Sequence, residues 1–145
     1  MKLIVTLDDS RGMMFNHRRQ SRDRTVCQDI LELSKASRLL IAPYSQALFQ
    51  DFDCTHVNVC ENPLVEAGKD DYCFIEGRLT DSTVKDVMGN SDKKAEEIII
   101  YKWNRKYPGD TFFDMDMEGY TCASSKDFSG SSHEKITREI YRWCK

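Results

Sequence analysis

The sequence lacks any apolar segment long enough to cross a bilayer. Its longest apolar runs, Leu39–Pro43 and Ile98–Tyr101, are much shorter than the roughly 20 residues that a spanning helix needs. The N-terminal stretch MKLIVTLDD has neither an apolar core of signal-peptide length nor a small-residue cleavage site. These absences predict a cytoplasmic protein without membrane contact.

The six cysteines and three histidines form no metal-binding pattern. No two cysteines have CxxC spacing, and the histidines lie far apart in the sequence. We therefore predict no metal site and expect free thiols that are buried or half-buried. Cys27 alone lies close to a run of arginines that favours a thiolate, so it is the one thiol with a context for a nucleophile.

Length and composition predict one folded domain covering residues 1–145. The chain is 40% hydrophobic and 31% charged, which is typical of a globular protein. Its net charge of −3 is unevenly distributed, because residues 51–97 carry 5 Lys/Arg against 12 Asp/Glu. We expect any anion site to lie near the chain ends, and the acidic middle third to be the face for a possible protein partner.

Alternating β-rich and amphipathic segments predict an α/β domain. Buried strands are predicted at Lys2–Leu7, Arg38–Ala42, Asp71–Gly77 and Glu97–Trp103, with a short strand at Thr55–Cys60. A helix is predicted after Ser21 as its N-cap, and Ser45 is predicted to cap a short helix through Phe49. The hydrophilic stretch Thr80–Ala95 predicts a loop or a loosely packed helix, and residues 112–124 predict an extended return from a turn.

Three segments resemble the dihydrofolate reductase-like fold. Residues 3–16, LIVTLDDSRGMMFN, are similar to its first strand and the mobile loop over the substrate. Residues 96–125 contain an xGDTxF turn at Gly109–Phe113, and residues 136–143, ITREIYRW, resemble the closing strand. The resemblance implies a single domain with a central mixed, mostly parallel sheet flanked by helices. It also decides an otherwise ambiguous tail in favour of a strand.

The cofactor side departs from that family. Its reductases hold a nicotinamide dinucleotide on a Gly-rich turn and on a helix N-terminus, which align here with FIEG and APYSQAL. Glu76 replaces a glycine and leaves only Gly77, while Pro43 stands at a phosphate-contacting basic position and leaves Ser45. We therefore expect no cofactor; if NADPH does bind, Ser45 and Gly77 are the residues to contact it.

Residues 15–24, FNHRRQSRDR, place four arginines around one carboxylate. The resemblance puts Asp23 near the carboxylate that contacts the pterin ring in the reductases. The neighbouring arginines are expected to keep Asp23 ionised and to replace the apolar wall of a folate site. An alternative for the arginines is a solvated loop tethered by ion pairs to Asp8, Asp9, Asp23 and Asp29.

We predict a ligand site where this loop meets the end of the Glu97–Trp103 strand and the GSSHEK segment. Arginine forks, an aromatic plane and small hydroxyls suit a phosphorylated or nucleotide-like ligand, or RNA. The candidate ligand-binding residues are Asn16, Arg18, Arg19, Arg22, Arg24, Trp103, Arg105, Ser131 and Ser132. The candidate catalytic residues are Asp23, His17 and His133. The alternatives are a core role for Trp103, a surface role for His133, and an anion-binding turn in GSSHEK.

The leading interpretation is a non-reductase binding domain that uses the arginine-rich loop for a phosphorylated, nucleotide-like or acidic partner. The alternative is an enzyme, either an NADPH-dependent reductase or a small ribonuclease or phosphodiesterase with His17 or His133 as base. The chain is also similar to small bacterial proteins with DDxxGMxFNxRRQSxD, YxWNRxYPxD and GSSHEKIT blocks, some labelled ribonuclease Z. It lacks the HxHxDH cluster that a two-zinc nuclease requires.

Overall fold

A computed structural model describes residues 1–77 and 95–144 of the chain. The strands are β1 Lys2–Leu7, β2 Gly12–Phe15, β3 Arg18–Arg19, β4 Leu39–Ile41, β5 Val57–Val59, β6 Tyr72–Phe74, β7 Glu97–Lys102, β8 Thr111–Phe112, β9 Tyr120–Phe128 and β10 Ile136–Trp143. The helices are α1 Arg24–Ser34, α2 Gln46–Phe49 and α3 Pro63–Glu66, and a 3₁₀ turn at Pro43–Ser45 precedes α2. The loop or helix predicted at Thr80–Ala95 lies, as far as residue 94, outside the described residues.

Seven strands form one mixed sheet in the order β5-β4-β6-β1-β7-β10-β9. The first five are parallel, and β10 runs antiparallel to both of its neighbours. The prediction of a mixed, mostly parallel sheet is confirmed, as are the predicted central strands and the closing strand. Their continuous apolar runs are typical of parallel strands that are covered on both faces.

Each face of the sheet has its own core. Leu3, Val5 and Ile98 pack on one face with Leu64 of α3. Ile4 and Ile99 point to the other face, where the apolar side of α1 covers them with residues such as Val26, Ile30 and Leu31. This alternation follows from the period of two along a strand. Among the described residues, no helix is long and apolar enough to cross a bilayer.

The segment after β1 forms a β-hairpin, and its first strand, β2, lies in the stretch that the resemblance assigned to the mobile loop. Phe15 pairs with Arg18 across a two-residue turn, and β2 also pairs with β8 to complete a three-stranded sheet. Both turn residues, Asn16 and His17, have positive φ, at 52° and 63°. Two residues with positive φ match the twist of a tight hairpin, and asparagine adopts this conformation readily.

Several boundaries differ from the predictions. Asp23, not Ser21, is the N-cap of α1, because its carboxylate accepts from the N–H groups of Thr25 at 2.9 Å and Val26 at 3.4 Å. Ser45 precedes α2 but makes no side-chain capping bond. Within the predicted extended segment 112–124, regular strand is found only at Phe112 and from Tyr120 onward. Helix α3 was not predicted.

The parallel arrangement places three chain turns at one edge of the sheet. β4, β5 and β6 run in the same direction, so the residues that follow them meet beyond their carboxyl ends. Open parallel sheets commonly bind ligands at that edge. The segments at this edge are residues 42–45, 60–64 and 75–77.

Candidate functional site

A crevice of about 350 Å³ lies beyond the carboxyl ends of β4, β5 and β6. Its walls are largely apolar and include Met14, Leu64 and Phe74, and the half-exposed ring of Tyr44 stands at its side. The polar residues along it are Ser45, Glu61, Asn62 and Glu76. A volume of this size and an apolar lining suit a small organic molecule.

Glu76, in the wall of the crevice, forms a largely buried ion pair with Arg19. The Glu76 side chain is 5% exposed, and Arg19 Nε donates to its Oε2 at 2.8 Å while a terminal nitrogen of the guanidinium donates to Oε1 at 3.3 Å. Burial raises the pKa of Glu76, and the hydrogen bonds and charge of Arg19, with a hydrogen bond from Ser45, oppose that rise. The guanidinium also lies 4.5 Å from the centroid of the Tyr44 ring. Arg19 is therefore engaged within the protein.

The other three arginines of the stretch are exposed. Arg24 lies over the Phe52 ring at 4.5 Å, while Arg18 and Arg22 take part in no ion pair among the residues that the structure describes. The predicted tethering to Asp8, Asp9, Asp23 and Asp29 is wrong in this part of the chain. Asp29 instead accepts from Arg138 at 2.7 Å and from the Tyr101 hydroxyl at 2.6 Å.

Asp23 is a buried carboxylate that joins α1 to the GSSHEK turn. It accepts from the backbone N–H groups of Ser131 at 2.9 Å and Ser132 at 2.8 Å, and from the Ser131 hydroxyl at 3.1 Å. Burial favours the neutral acid, but these hydrogen bonds and one from His133 outweigh it and hold the pKa of Asp23 far below its usual value. The turn thus binds an anion that belongs to the protein itself. No arginine is among the main causes of the lowered pKa of Asp23, contrary to expectation.

The turn requires glycine where it approaches this carboxylate. A Cβ atom at Gly130 would lie 2.4 Å from Asp23 Oδ2, and the Gly130 N–H closes the turn by donating to the His133 carbonyl at 2.9 Å. Ser131 and Ser132 were predicted to contact a ligand. Their backbone N–H groups and the Ser131 hydroxyl donate to Asp23 instead.

His133 lies at the centre of a polar cluster and is buried. Its Nδ1 is 2.9 Å from Asp23 Oδ2, and its Nε2 is 2.9 Å from Ser21 Oγ and 3.1 Å from the Tyr107 hydroxyl. The imidazole stacks on Trp103 with 4.7 Å between ring centroids. The surface alternative for His133 is therefore wrong, and Trp103, 3% exposed, packs in the core.

A second, very small cavity separates α1 from β1. It encloses about 10 Å³, shares Phe74 and Glu76 with the crevice, and has Ser21 and Arg22 in its lining. This space holds about one water molecule, so a pterin ring does not fit between these elements. Cys27 also lines it, and burial raises the pKa of that thiol to about 11, so the predicted thiolate context is wrong.

The remaining predicted residues lie apart from these clusters. Asn16 and His17 are exposed at the tip of the β2–β3 hairpin. Arg105 borders an open groove of about 450 Å³ with Asp9, Asn104, Glu134 and Lys135. Within residues 1–77 and 95–144, no three His, Cys, Asp or Glu side chains are grouped closely enough to hold a metal ion. All six cysteines are free thiols.

The contacts that organise the site could not be predicted from the sequence. Ser21, Tyr107 and the Arg19–Glu76 pair were not recognised as parts of one region, because their partners are 26 to 112 positions away in the chain. The tripeptide Ser21-Arg22-Asp23 gives no local signal that a histidine from the C-terminal segment will reach both of its outer side chains.

Comparison with known proteins identifies the fold and not an activity. No family model and no curated protein matches the sequence. Dihydrofolate reductase from Enterococcus faecalis, solved in complex with NADP(H) and RAB-propyl, superposes with a TM-score of 0.66 at 10% identity. The match covers 97% of this chain and 94% of that one. The chain therefore has a dihydrofolate reductase-like fold, as the resemblance implied.

Proposed function

We propose that the protein is a non-reductase binding domain that takes a small phosphorylated, nucleotide-like ligand at the carboxyl edge of its parallel strands. The observation that carries this proposal is the crevice of about 350 Å³ that meets the arginine-bearing start of α1 at Phe74 and Glu76. An apolar wall beside an exposed cation suits a ligand with a planar body and an anionic group.

The crevice itself suits the uncharged part of such a ligand. Met14, Leu64 and Phe74 offer apolar surface, and the Tyr44 ring provides a plane on which a base can stack. Glu61 and Asn62 lie at the same opening and can accept or donate hydrogen bonds to the edge of a base. The carboxylates disfavour an anion inside the crevice, so the phosphate is expected at its border.

Arg22 is the proposed contact for the anionic group. It is exposed, it lies near enough to lower the pKa of Glu76, and it lines the cavity next to the crevice. Arg18 is also exposed, but neighbouring residues of a strand point to opposite faces, so it does not share the orientation of Arg19 toward the crevice. We therefore assign Arg22 the main role and Arg18 a weaker, long-range role.

We propose that a dinucleotide is not the natural ligand. The residues that the resemblance assigned to the diphosphate are Ser45 and Gly77. Glu76 lines the crevice with both of them, and Ser45 hydrogen-bonds to its carboxylate. A buried carboxylate at this place opposes a diphosphate, and the partner charge of Arg19 is already used. These residues do not fit NADPH, and no reaction through a dinucleotide is proposed.

The test is a thermal-shift series with AMP, GMP, the matching nucleosides, NADPH and a short single-stranded RNA. We expect a 5′-mononucleotide to raise Tm in a concentration-dependent way, and the nucleoside to bind about tenfold or more weakly because it lacks the charged group. Arg22→Ala should weaken nucleotide binding about tenfold and leave nucleoside binding unchanged.

Arg142→Ala is the matched control, because Arg142 is an exposed arginine on the distant strand β10 and pairs with Glu97. Equal nucleotide affinity in all three proteins, or no stabilisation by any nucleotide, contradicts the proposal. Salt-sensitive RNA binding that is lost in Arg18→Ala supports the ribonucleic acid alternative instead. Arg19 is left intact in these variants, since its loss exposes the buried charge of Glu76.

A further inference from the structure

Ser21, His133 and Asp23 form one continuous hydrogen-bonded chain. Asp23 Oδ2 lies 2.9 Å from His133 Nδ1, and His133 Nε2 lies 2.9 Å from Ser21 Oγ. The carboxylate assigns the imidazole proton to Nδ1, which leaves Nε2 as an acceptor that faces the serine hydroxyl. A serine, a histidine and an acid joined in this order are the arrangement of a nucleophile, its base and the group that orients the base.

We propose that Ser21 is a catalytic nucleophile that hydrolyses small acyl esters, with His133 as general base and Asp23 as the positioning residue. Ser21 Oγ forms a bond to the carbonyl carbon and its proton passes to His133 Nε2. The bond from that carbon to the alcohol oxygen breaks, and the alcohol leaves with the proton from His133. Water then adds to the acyl-serine and gives its proton to His133, and Ser21 regains a proton as the acid leaves.

A second serine–histidine contact in the same protein shows what distinguishes Ser21. Ser34 Oγ lies 3.0 Å from His56 Nε2, but it also donates to the Ile30 carbonyl at 2.8 Å, so its proton is directed to its own helix. Ser34 is fully buried, whereas Ser21 is half-buried and lines a cavity. Among the described residues, Ser21 Oγ has no backbone acceptor and is left to interact with His133 and Tyr107.

Tyr107 modulates this pair. Its hydroxyl lies 3.1 Å from His133 Nε2 and 3.4 Å from Ser21 Oγ, yet the imidazole nitrogen has a single lone pair. The two hydroxyls therefore compete for the same acceptor. When Tyr107 donates to Nε2, Ser21 has no base. Removing the phenolic hydroxyl leaves the lone pair to Ser21.

The surroundings of Ser21 define the substrate. The backbone N–H of Arg22 donates to no acceptor among the described residues. Arg22 directly follows the nucleophile, which is where an oxyanion donor is placed in serine hydrolases. The cavity of about 10 Å³ beside Ser21 is too small to enclose an acyl group, so only the smallest acyl group, acetyl, is expected to reach the half-buried hydroxyl. The Arg22 guanidinium favours an anionic alcohol or phosphate as leaving group. The class is thus acetyl esters, together with the mixed anhydride acetyl phosphate, in which the bond from the acyl carbon to a phosphate oxygen breaks and phosphate leaves in place of the alcohol.

The test is acetylation of the full-length protein by 4-nitrophenyl acetate and by acetyl phosphate. We expect a burst of one 4-nitrophenolate per chain, and mass spectrometry of acid-quenched, digested protein should place one acetyl group on Ser21. Ser21→Ala should abolish the burst and the adduct while leaving Tm unchanged. Tyr107→Phe should raise the acetylation rate several-fold, an effect that a purely structural cluster would not produce. Arg22→Ala should slow the reaction with acetyl phosphate alone.

Ser34→Ala is the matched control and should react as the unaltered protein does. The proposal is overturned if neither the unaltered protein nor Tyr107→Phe is acetylated at Ser21, or if the burst persists in Ser21→Ala. His133→Gln adds a second check, since a folded variant that retains the full acetylation rate excludes His133 as the base. The assay needs no nucleotide, so its result stands apart from the ligand proposed for the crevice.

Discussion

Asp23 performs two structural tasks with one carboxylate. Oδ1 caps α1 through the Thr25 N–H and holds Ser131, while Oδ2 holds Ser132 and His133. The pKa of Asp23 is therefore lowered below its ordinary value of 3.8 even though burial acts in the opposite direction. An acid whose pKa is lower in the folded state adds stability above the unfolded pKa and loses it as the pH falls.

We expect Asp23→Asn to reduce the free energy of unfolding by about 2–4 kcal/mol at neutral pH, because several hydrogen bonds to a charged group and an N-cap are weakened together. Below about pH 4 the unaltered protein loses this contribution, so the gap between the two proteins should narrow. Urea unfolding of both proteins between about pH 7 and about pH 3 measures this difference in the free energy of unfolding. Asp53→Asn, at an exposed loop position, is the control and should show no such pH-dependent gap.

The same residue shows where inference from sequence ends. Asp23 is held in its ionised form, as predicted, but not by the adjacent arginines to which the prediction attributed this. The groups that stabilise its carboxylate come from residues 131–133. Contacts between positions about 110 apart depend on how β10 and its preceding turn return to β1 and α1. No local sequence pattern predicts that this turn will lie against α1.

At the scale of an element, the β2–β3 hairpin shows how a polar stretch acquires order. Its second strand, Arg18–Arg19, contains no apolar residue, yet it pairs with β2, which in turn pairs with β8, and Asp110 accepts from the Asn16 N–H at 3.0 Å. His17 at the tip is exposed and has a φ of 63°, which strains a residue with a side chain. Its conformation is set by the turn and not by contacts of the imidazole.

We expect His17→Gly to stabilise the protein by about 0.5–1 kcal/mol, because an Asn-Gly pair is the preferred sequence for a hairpin turn with two positive φ angles. Thermal unfolding should show a raised Tm. Acetylation of Ser21 should be unaffected, because His17 lies at the hairpin tip and Ser21 contacts His133. A loss of phosphodiester hydrolysis in this variant would instead identify His17 as the base of the ribonuclease alternative. Arg18→Ala, beside the turn, controls for loss of surface charge.

At the scale of the whole molecule, the sheet was predictable and the edge that carries the site was not. Strands β1, β4, β6 and β7 are largely apolar runs. Such runs are typical of parallel strands that are buried on both faces, so they predict the centre of the sheet. The edge depends on single polar residues whose meaning comes from their partners. Glu76 was recognised as a departure from the dinucleotide-binding enzymes, but its partner Arg19 was assigned to a ligand. Glu76 and the arginine-rich loop are both departures from those enzymes, and the two meet in the Arg19–Glu76 ion pair.

This pairing gives a prediction about how the fold relates to its dinucleotide-binding neighbours. Glu76→Gln keeps the shape of the side chain and removes its charge. The charge of Arg19, whose guanidinium lies over the Tyr44 ring beside the crevice, is then no longer neutralised. We expect the variant to bind NADPH or pyrophosphate at least about tenfold more tightly than the unaltered protein, in line with one new charge-assisted contact. Thermal shift and quenching of tryptophan fluorescence measure the gain.

Glu61→Gln is the matched control, because Glu61 also lines the crevice but is exposed and forms no ion pair among the described residues. Its effect on dinucleotide affinity should be small, since solvent screens the exposed carboxylate. An equal gain in dinucleotide affinity in Glu76→Gln and Glu61→Gln would mean that the overall charge of the crevice, and not the release of Arg19, controls dinucleotide binding. An Arg19→Met/Glu76→Gln double variant separates these causes further: it removes both charges, and its affinity should return to that of the unaltered protein if the guanidinium is the group that binds the diphosphate.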